Sequence, residues 1–462
     1  MMIRKTLAHI PFGKPVSTFP RYAPAVAIAV AISCTPLHAQ TMSNTVNTMA
    51  KAAASVALNG DPLPRARPEE VGLSSERLGE IAKRLNADIE AGRIPGAVIA
   101  ITRKGKLAYY ETFGFRDKAG GVAMTKDTIF NIASMTKPVV ALAALQLHER
   151  GKLLIDDPLS KYFPKFASME VAELDQKGET ITGKVPARQP ITLRHLMMHT
   201  SGLIYGGRGS TAVHKLYPAS SSASGATMTG AEFMDKLATL PLLNHPGEVW
   251  DYGFGLDVLG QVIEQVSGQP LGKYIEENIF KPLGMTDTAS FIPPEKAPRY
   301  AKALPKDPDT GNPQSVTPVL TQPLKFECGG GCLSSTAGDY LRFAFALLNK
   351  GAYGETRILG RKTAEYMLTN QLGPEVKNLM ANTDATRLDY GFGLGLSVRT
   401  ETGRGRVIGS VGDFSWPGAS GTNWWADPKE ELAVVFMAHS PGPIRWHYRQ
   451  VINALVYQAI VD

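Results

Sequence analysis

The sequence predicts an α/β protein: an antiparallel sheet built from both termini and flanked by helices, with a mainly helical inserted domain. Three observations predict it. Strand patterns appear near the N-terminal side and return after residue 388. An almost wholly apolar helical stretch follows the first of them. The middle of the chain alternates helical pieces with irregular polar segments. The 462 residues suffice for a large core, and 44% hydrophobic with 20% charged residues is ordinary for a globular protein.

Residues 1–39 contain Arg4, Lys5, Lys14 and Arg21 and no acid. A basic start leads into AVAIAVAIS at 25–33, which reads as a secretory signal with an h-region too short for a stable span. Cleavage is expected after Ala39, although Leu37 replaces the preferred small residue. Cys34 offers a lipoprotein alternative, and an uncleaved anchor is a third. The expected location is periplasmic or secreted, with membrane attachment only through Cys34 or an uncleaved signal. Without this segment the formal charge of +7 falls to about +3. That charge is too mild, and too free of Lys/Arg stripes, for a nucleic-acid partner.

Residues 40–66 read as a linker, and 67–462 as the folded domain. SSERLGEIAKRLNADIEAG at 74–92 has a Ser N-cap candidate and helical apolar spacing. AVIAITRKGKLAYYETFGF at 97–115 reads as a hairpin turning at Arg103–Gly105. SMTKPVVALAALQLHERG, Ser134 to Gly151, is apolar nearly all round. It is expected to be a buried central helix ended by Gly151. Residues 173–190 and 207–230 read as loops, and 191–200 and 255–268 as helical pieces. From 388 to 440 four successive antiparallel strands are expected, with a turn at Asp427–Lys429, and then a helix from Ile444 to about Ile460. The α/β part thus spans about 67–165 and 326–462, around an insertion at about 166–325.

Cys328 and Cys332 frame CGGGC. An oxidising compartment permits a disulfide, but so short a loop leaves geometry to decide. The favoured expectation is two small residues packed around a glycine turn. Gly329–Gly331 lacks the Lys/Ser pattern of a phosphate loop.

Ser134 and Lys137 form the chain's S-x-x-K. Residues at i and i+3 share a helix face, so the amine can reach the hydroxyl. The helix N-terminus supplies free N–H groups and partial positive charge. A lysine in an apolar site loses hydration, which favours its neutral, basic form. Taken alone, the spacing favours an N-cap serine followed by a solvated lysine. The apolar helix leaves little room for a solvated Lys137.

Further stretches follow in order. They are LMMHTSGL at 196–203, WDYGFGLDVLGQVIEQVSGQPLGKYIEENIFKPLGM at 250–285, GGGCLSSTAGDYLRF at 329–343 and WPGASGTNWWADP at 416–428. Their order and wording resemble the serine β-lactamase and D,D-peptidase superfamily, specifically the class C β-lactamase-like carboxylesterases (family VIII type), over about residues 67–460. The resemblance implies a β-lactamase/transpeptidase-like fold and roles for particular residues. Ser134 would be the acylated nucleophile, with Lys137 and Tyr252 sharing the base role as a coupled pair. The backbone N–H groups of Ser134 and Ala419 would form the oxyanion hole. Trp416, Gly418 and Phe254 would contact substrate.

Two departures from the pattern matter. The strand carrying K-T-G in penicillin-recognising relatives has Trp416-Pro417-Gly418 here, and Pro belongs on an edge strand. Phe254 stands where β-lactam binders carry Asn. Both remove polar handles for a β-lactam and point to an apolar ester.

Other residues weigh less. His195 and His199 stand four apart, but HLMMH lacks the Glu of H-E-x-x-H, and no metal is expected. His439 could face the cleft, although a structural or surface place is the commoner one. No G-x-S-x-G nucleophile elbow occurs. The expectation is an exported serine hydrolase cleaving small-molecule esters through an acyl-enzyme without any cofactor. A β-lactamase or D-amino-acid peptidase with the same residues is the first alternative. An inactive homologue binding peptidoglycan or a protein partner is the second. The sequence does not speak to oligomeric state.

Overall fold

Strand β1, Gly96–Arg103, is buried at all eight positions, and its alternation explains the layering. Ala97, Ile99 and Ile101 join one apolar cluster with Leu432, Val434 and Phe436. Val98 and Ala100 join a larger one with Ala433, Val435 and Met437. Successive side chains of a strand point to opposite faces, so a strand apolar throughout must be covered on both. The structure is a computed structural model and describes residues 60–314, 322–380 and 384–462. The expected signal segment, Cys34 and residues 40–59 lie outside the described residues.

β1 turns at Lys104–Gly105, both in the left-handed region (φ 49° and 74°), into β2, Lys106–Asp117. A tight hairpin of this hand matches the twist of the strands it joins. β3 is Val122–Ala123. The C-terminal part contributes β4 (Tyr390–Phe392), β5 (Ser397–Arg399), β6 (Phe414–Ser415), β7 (Asn423–Asp427) and β8 (Leu432–Ala438). The order is β4-β5-β6-β7-β8-β1-β2-β3, with antiparallel neighbours throughout. The two ends of the chain meet where Ile99 pairs with Phe436. This is the predicted fold class.

Helix α1, Ser75–Glu90, begins where Ser74 Oγ accepts from Arg77 N–H. With the C-terminal helix, Ile444–Tyr457, it covers one face of the sheet. Helix α2, Thr136–Glu149, lies in the other cluster and is buried from Thr136 to Leu147. Gly151 follows it at φ 65°. Against it packs α4 (Gly255–Ser267), against α4 packs α3 (Leu193–Met197), and α5 (Ala337–Leu348) packs on the sheet; the C-terminal helix is α6. Among the described residues no helix is long and apolar enough to cross a membrane.

Several local expectations are corrected. Residues 388–400 form the β4–β5 hairpin, not one strand. It bends at Gly395 (φ 85°), where a Cβ would come 2.4 Å from Ala141 Cβ. The expected strand over 405–416 is reduced to β6. Residues 173–190 are no loop: Glu170–Leu174 pairs with Ile181–Pro186. The second of these strands alternates half-buried and exposed positions, so its polar composition concealed it. The 207–230 stretch contains a helix, Ser221–Thr227. The end of the expected linker packs on the sheet. Leu63 is buried, Ala66 N–H donates to Leu107 O and Leu107 N–H to Pro64 O. Cys328 and Cys332 are disulfide-bonded, with Cα atoms 5.4 Å apart, so the glycine turn between them is covalently closed.

The β4–β5–β6 edge leads to Trp416 and contains a buried ion pair. Arg399 is 2% exposed; its Nε lies 2.7 Å from Asp413 and its Nη1 3.4 Å from Asp389. Burial pushes the Asp413 carboxyl up to about 6, against the pull of Arg399. Arg399→Met would strand two buried carboxylates. The expected loss of unfolding free energy is about 3–5 kcal/mol, measured by denaturant titration. A loss below about 1 kcal/mol would show that the pair holds nothing.

Candidate active site

Ser134 sits in a single 3-10 turn, Ala133–Met135, that runs into α2. Ala133 has φ 43°, a conformation that costs an L-residue about 1 kcal/mol or more. The surroundings hold it there. Asn131 Oδ1 accepts from Ala133 N–H at 2.9 Å, Thr136 Oγ1 donates to Ala133 O at 2.7 Å, and Tyr340 OH donates to Met135 O at 2.8 Å. The turn presents Ser134 Oγ at the head of the helix.

Two side chains converge on that oxygen. Tyr252 OH donates to Ser134 Oγ at 2.6 Å, and Lys137 Nζ donates to it at 3.3 Å. Lys137 is fully buried. Its Nζ also donates to Gly330 O and lies 4.5 Å from the centre of the Tyr252 ring. Tyr252 stands just before α4, whose N-cap Phe254 and first-turn Asp257 are both buried.

A buried network backs Lys137. The Asp257 carboxylate accepts from Tyr205 OH, Ser221 Oγ and Gly330 N–H, each at 2.9 Å. Burial raises the Asp257 carboxyl above its usual range, while Lys137 and these donors oppose the rise. His199, at φ 56°, lies behind Tyr252 with ring centres 4.6 Å apart. Its Nδ1 accepts from Gly253 N–H at 3.4 Å. Such a site can deprotonate a serine hydroxyl, with amine and phenol sharing the proton.

Comparisons with known proteins establish the family. A family model described as Beta-lactamase matches residues 81–455. The chain belongs to the beta-lactamase family. It is a serine hydrolase of that family. Protein Rv1367c of Mycobacterium tuberculosis is 36% identical over 358 residues, covering 76% of this chain and 88% of its own. Esterase EstB of Burkholderia gladioli is 28% identical over 391 residues, covering 81% and 95%. Among solved structures, EstCE1, described as a hydrolase with promiscuous acyltransferase activity, superposes with a TM-score of 0.67 at 25% identity. It covers 83% of this chain and 99% of that one.

In this beta-lactamase-family protein Ser134, Tyr252, Trp416 and Ala419 line one narrow cleft of about 70 Å³. A larger cavity of about 730 Å³ lies around residues 270–296 and includes none of these groups. The cleft next to Ser134 therefore deserves the chemistry, small as it is. Trp416 is 4% exposed, edge-on to Phe392 at 5.0 Å and tilted against Tyr252 at 5.5 Å. It follows β6, an interior strand, so Pro417 begins a loop and does not sit on an edge strand as expected. That loop is tied to the segment leading into Ser134, since Ser420 Oγ donates to Asn131 O, and is closed on itself where Gly418 N–H donates to Thr422 O at 2.9 Å.

Two expected substrate contacts are corrected. Phe254 is fully buried, edge-on to Tyr205 at 4.4 Å and Phe233 at 5.3 Å, and does not line the cleft. Gly418 does not line it either; a Cβ there would meet Thr422 Oγ1 at 2.1 Å and Ile132 O at 2.5 Å. The two histidines of HLMMH do not share a helix face, because α3 ends at Met197. His195 instead closes the helix start, its Nδ1 accepting from Thr192 N–H at 3.2 Å. His439 is buried away from the cleft, its Nδ1 2.6 Å from Ala301 O.

The sequence reading missed the charge of the cleft. Arg208, Arg445 and Arg449 line it beside Asp384. Arg449 Nη1 lies 3.0 Å from Asp384, whose other arginine neighbour, Arg387, is at 3.9 Å. Arg208 has no carboxylate partner among the described residues and lies 4.8 Å from the Tyr252 ring centre. The signal was present in IRWHYRQ, where Arg445 and Arg449 stand one helical turn apart. The cleft is positive, not the apolar one expected.

Burial, with Lys137 and Arg208 nearby, holds His199 well below its ordinary 6.5, so it is neutral in the folded protein. The unfolded chain takes up a proton there near pH 6.5. Below that pH the unfolded state binds more protons than the folded one. This stability is therefore complete above about pH 6.5 and falls with pH, by up to about 1.4 kcal/mol per unit. Urea unfolding at about pH 7.5 and about pH 5.5 checks it. Wild type should lose more stability on acidification than His199→Gln; equal losses would contradict a neutral His199.

Proposed function

We propose that this serine hydrolase is an exported carboxylesterase working through an acyl-enzyme on Ser134. The observation that carries the reading is the convergence of Tyr252 OH (2.6 Å) and Lys137 Nζ (3.3 Å) on Ser134 Oγ. Ser134 Oγ attacks the ester carbonyl carbon, and Lys137 with Tyr252 takes its proton. The N–H groups of Ser134 and Ala419 stabilise the oxyanion. The same pair returns the proton to the departing alkoxide, and the alcohol leaves. Water, activated in the same way, then releases the acid; an alcohol in place of water would give acyl transfer. The name of EstB supports ester substrates, and the description of EstCE1 supports both outcomes. Export is supported by the basic start and AVAIAVAIS at 25–33.

The arginines favour an ester whose acyl or alcohol part bears a carboxylate. A β-lactam bears one too, so β-lactam hydrolysis is the second reading, favoured by that observation alone. A panel of a neutral p-nitrophenyl ester, one with a free carboxylate and a chromogenic cephalosporin separates them. Ser134→Ala should lower kcat/KM for both esters by about 10³-fold or more. The carboxylate ester should have the lower KM, and the cephalosporin should turn over at least about 100-fold less efficiently than either. Activity retained in Ser134→Ala contradicts the reading, and cephalosporin turnover matching the esters transfers it to the second.

A further inference from the structure

The Cys328–Cys332 disulfide encloses three glycines, and two of them are required by space. A Cβ on Gly329 would lie 2.2 Å from Leu256 O. On Gly330 it would lie 2.3 Å from Asp257 Oδ2, 2.4 Å from Ser221 Oγ and 2.5 Å from Tyr205 OH. On Gly331 it would meet nothing closer than 3.7 Å. The close approach at Gly330 has a purpose: its N–H donates to Asp257 Oδ1 at 2.9 Å and its carbonyl accepts from Lys137 Nζ. Gly330 hydrogen-bonds both the buried carboxylate and the buried amine.

Glycine solves the spatial problem and creates another. Three consecutive glycines have more backbone freedom than any other tripeptide, so the acceptor for Lys137 would sit on the loosest stretch of chain near the site. The cross-link closes that stretch into a short ring. Beyond the ring, Ser334 and Ser335 pair with Asn131 and Phe130, and Leu333 N–H donates to Thr136 Oγ1 at 3.1 Å. The arch is thus fixed to the same segment that presents Ser134. Neither cysteine lines the cleft.

We propose that the Cys328–Cys332 disulfide is a positioning device for Lys137: it clamps the Gly330 carbonyl onto the amine and thereby keeps Nζ in reach of Ser134 Oγ. The inference rests on the acyl-enzyme reading above. A shift of about 1 Å at a reacting group can lower the rate about 100-fold, so loss of the clamp is read in the acylation step.

The test uses the mature chain and the pre-steady-state burst of p-nitrophenol from a p-nitrophenyl ester, with melting temperatures alongside. The Cys328→Ala/Cys332→Ala double variant should acylate at least about tenfold more slowly with KM changed less than about twofold. Gly330→Ala should lose about 100-fold, and Gly331→Ala should stay within about twofold of wild type. Should the double variant not fold, the contrast between Gly330→Ala and Gly331→Ala decides. An acylation rate in the double variant within about twofold of wild type overturns the proposal. So does a rate loss matched by an equal rise in KM or shared by Gly331→Ala, since that marks general loosening. A wild-type burst that is absent, or that persists in Ser134→Ala, overturns the acyl-enzyme reading and this inference with it.

Discussion

A lysine with no exposed surface has to be held on every side, and the centre of this protein is organised around doing so. Lys137 reaches Ser134 Oγ and the Gly330 carbonyl, faces the Tyr252 ring, and has the Asp257 carboxylate one residue beyond. Taking a charge out of water costs several kcal/mol unless partners replace the water. Here the partners come from four separate stretches of chain: the helix that bears Lys137, the start of α4, the segment 205–221 and the disulfide-closed arch. None of them can move without leaving a buried polar group unsatisfied. The same contacts that make Lys137 tolerable also aim it at a hydroxyl.

The sheet supplies the frame for this arrangement. β1 and β8 join the two ends of the chain, and the wall that follows β6 brings Trp416 and Ala419 across from Ser134. The Asn131 carbonyl ties that wall to the segment leading into Ser134 through Ser420. The cleft is therefore narrow and anchored on that side. Its outer rim, with Arg208 and Arg445 exposed or half-buried, is where charge on a substrate would be felt.

Some of this was legible in the sequence. The run AVIAITRKGKLAYYETFGF announced a hairpin, though not that its first strand is covered on both faces, and the nearly all-apolar stretch after Ser134 announced a buried helix with little room for a solvated lysine. Tyr252 could not be found by local spacing; it lies 118 residues from Ser134 and was placed by the order of the later motifs. Asp257 was hidden inside the apolar GLDVLGQ of α4, and its partners Tyr205 and Ser221 share no period with it. The ribbon at 170–186 is solvated on one side, so its alternation looked like loop polarity. Phe254 was misplaced because a position in a motif says which residue follows, not which way the helix start turns it. The disulfide was undecidable because a ring this short depends on a backbone path that composition does not specify.

The central claim is that Ser134 becomes covalently acylated. Intact-mass analysis of the protein, quenched within the burst of a p-nitrophenyl ester and followed by peptide mapping, tests it most directly. The account predicts a single adduct of the acyl mass on the peptide containing Ser134, absent from Ser134→Ala. Ester turnover with no adduct, or with the adduct on another residue, would contradict it.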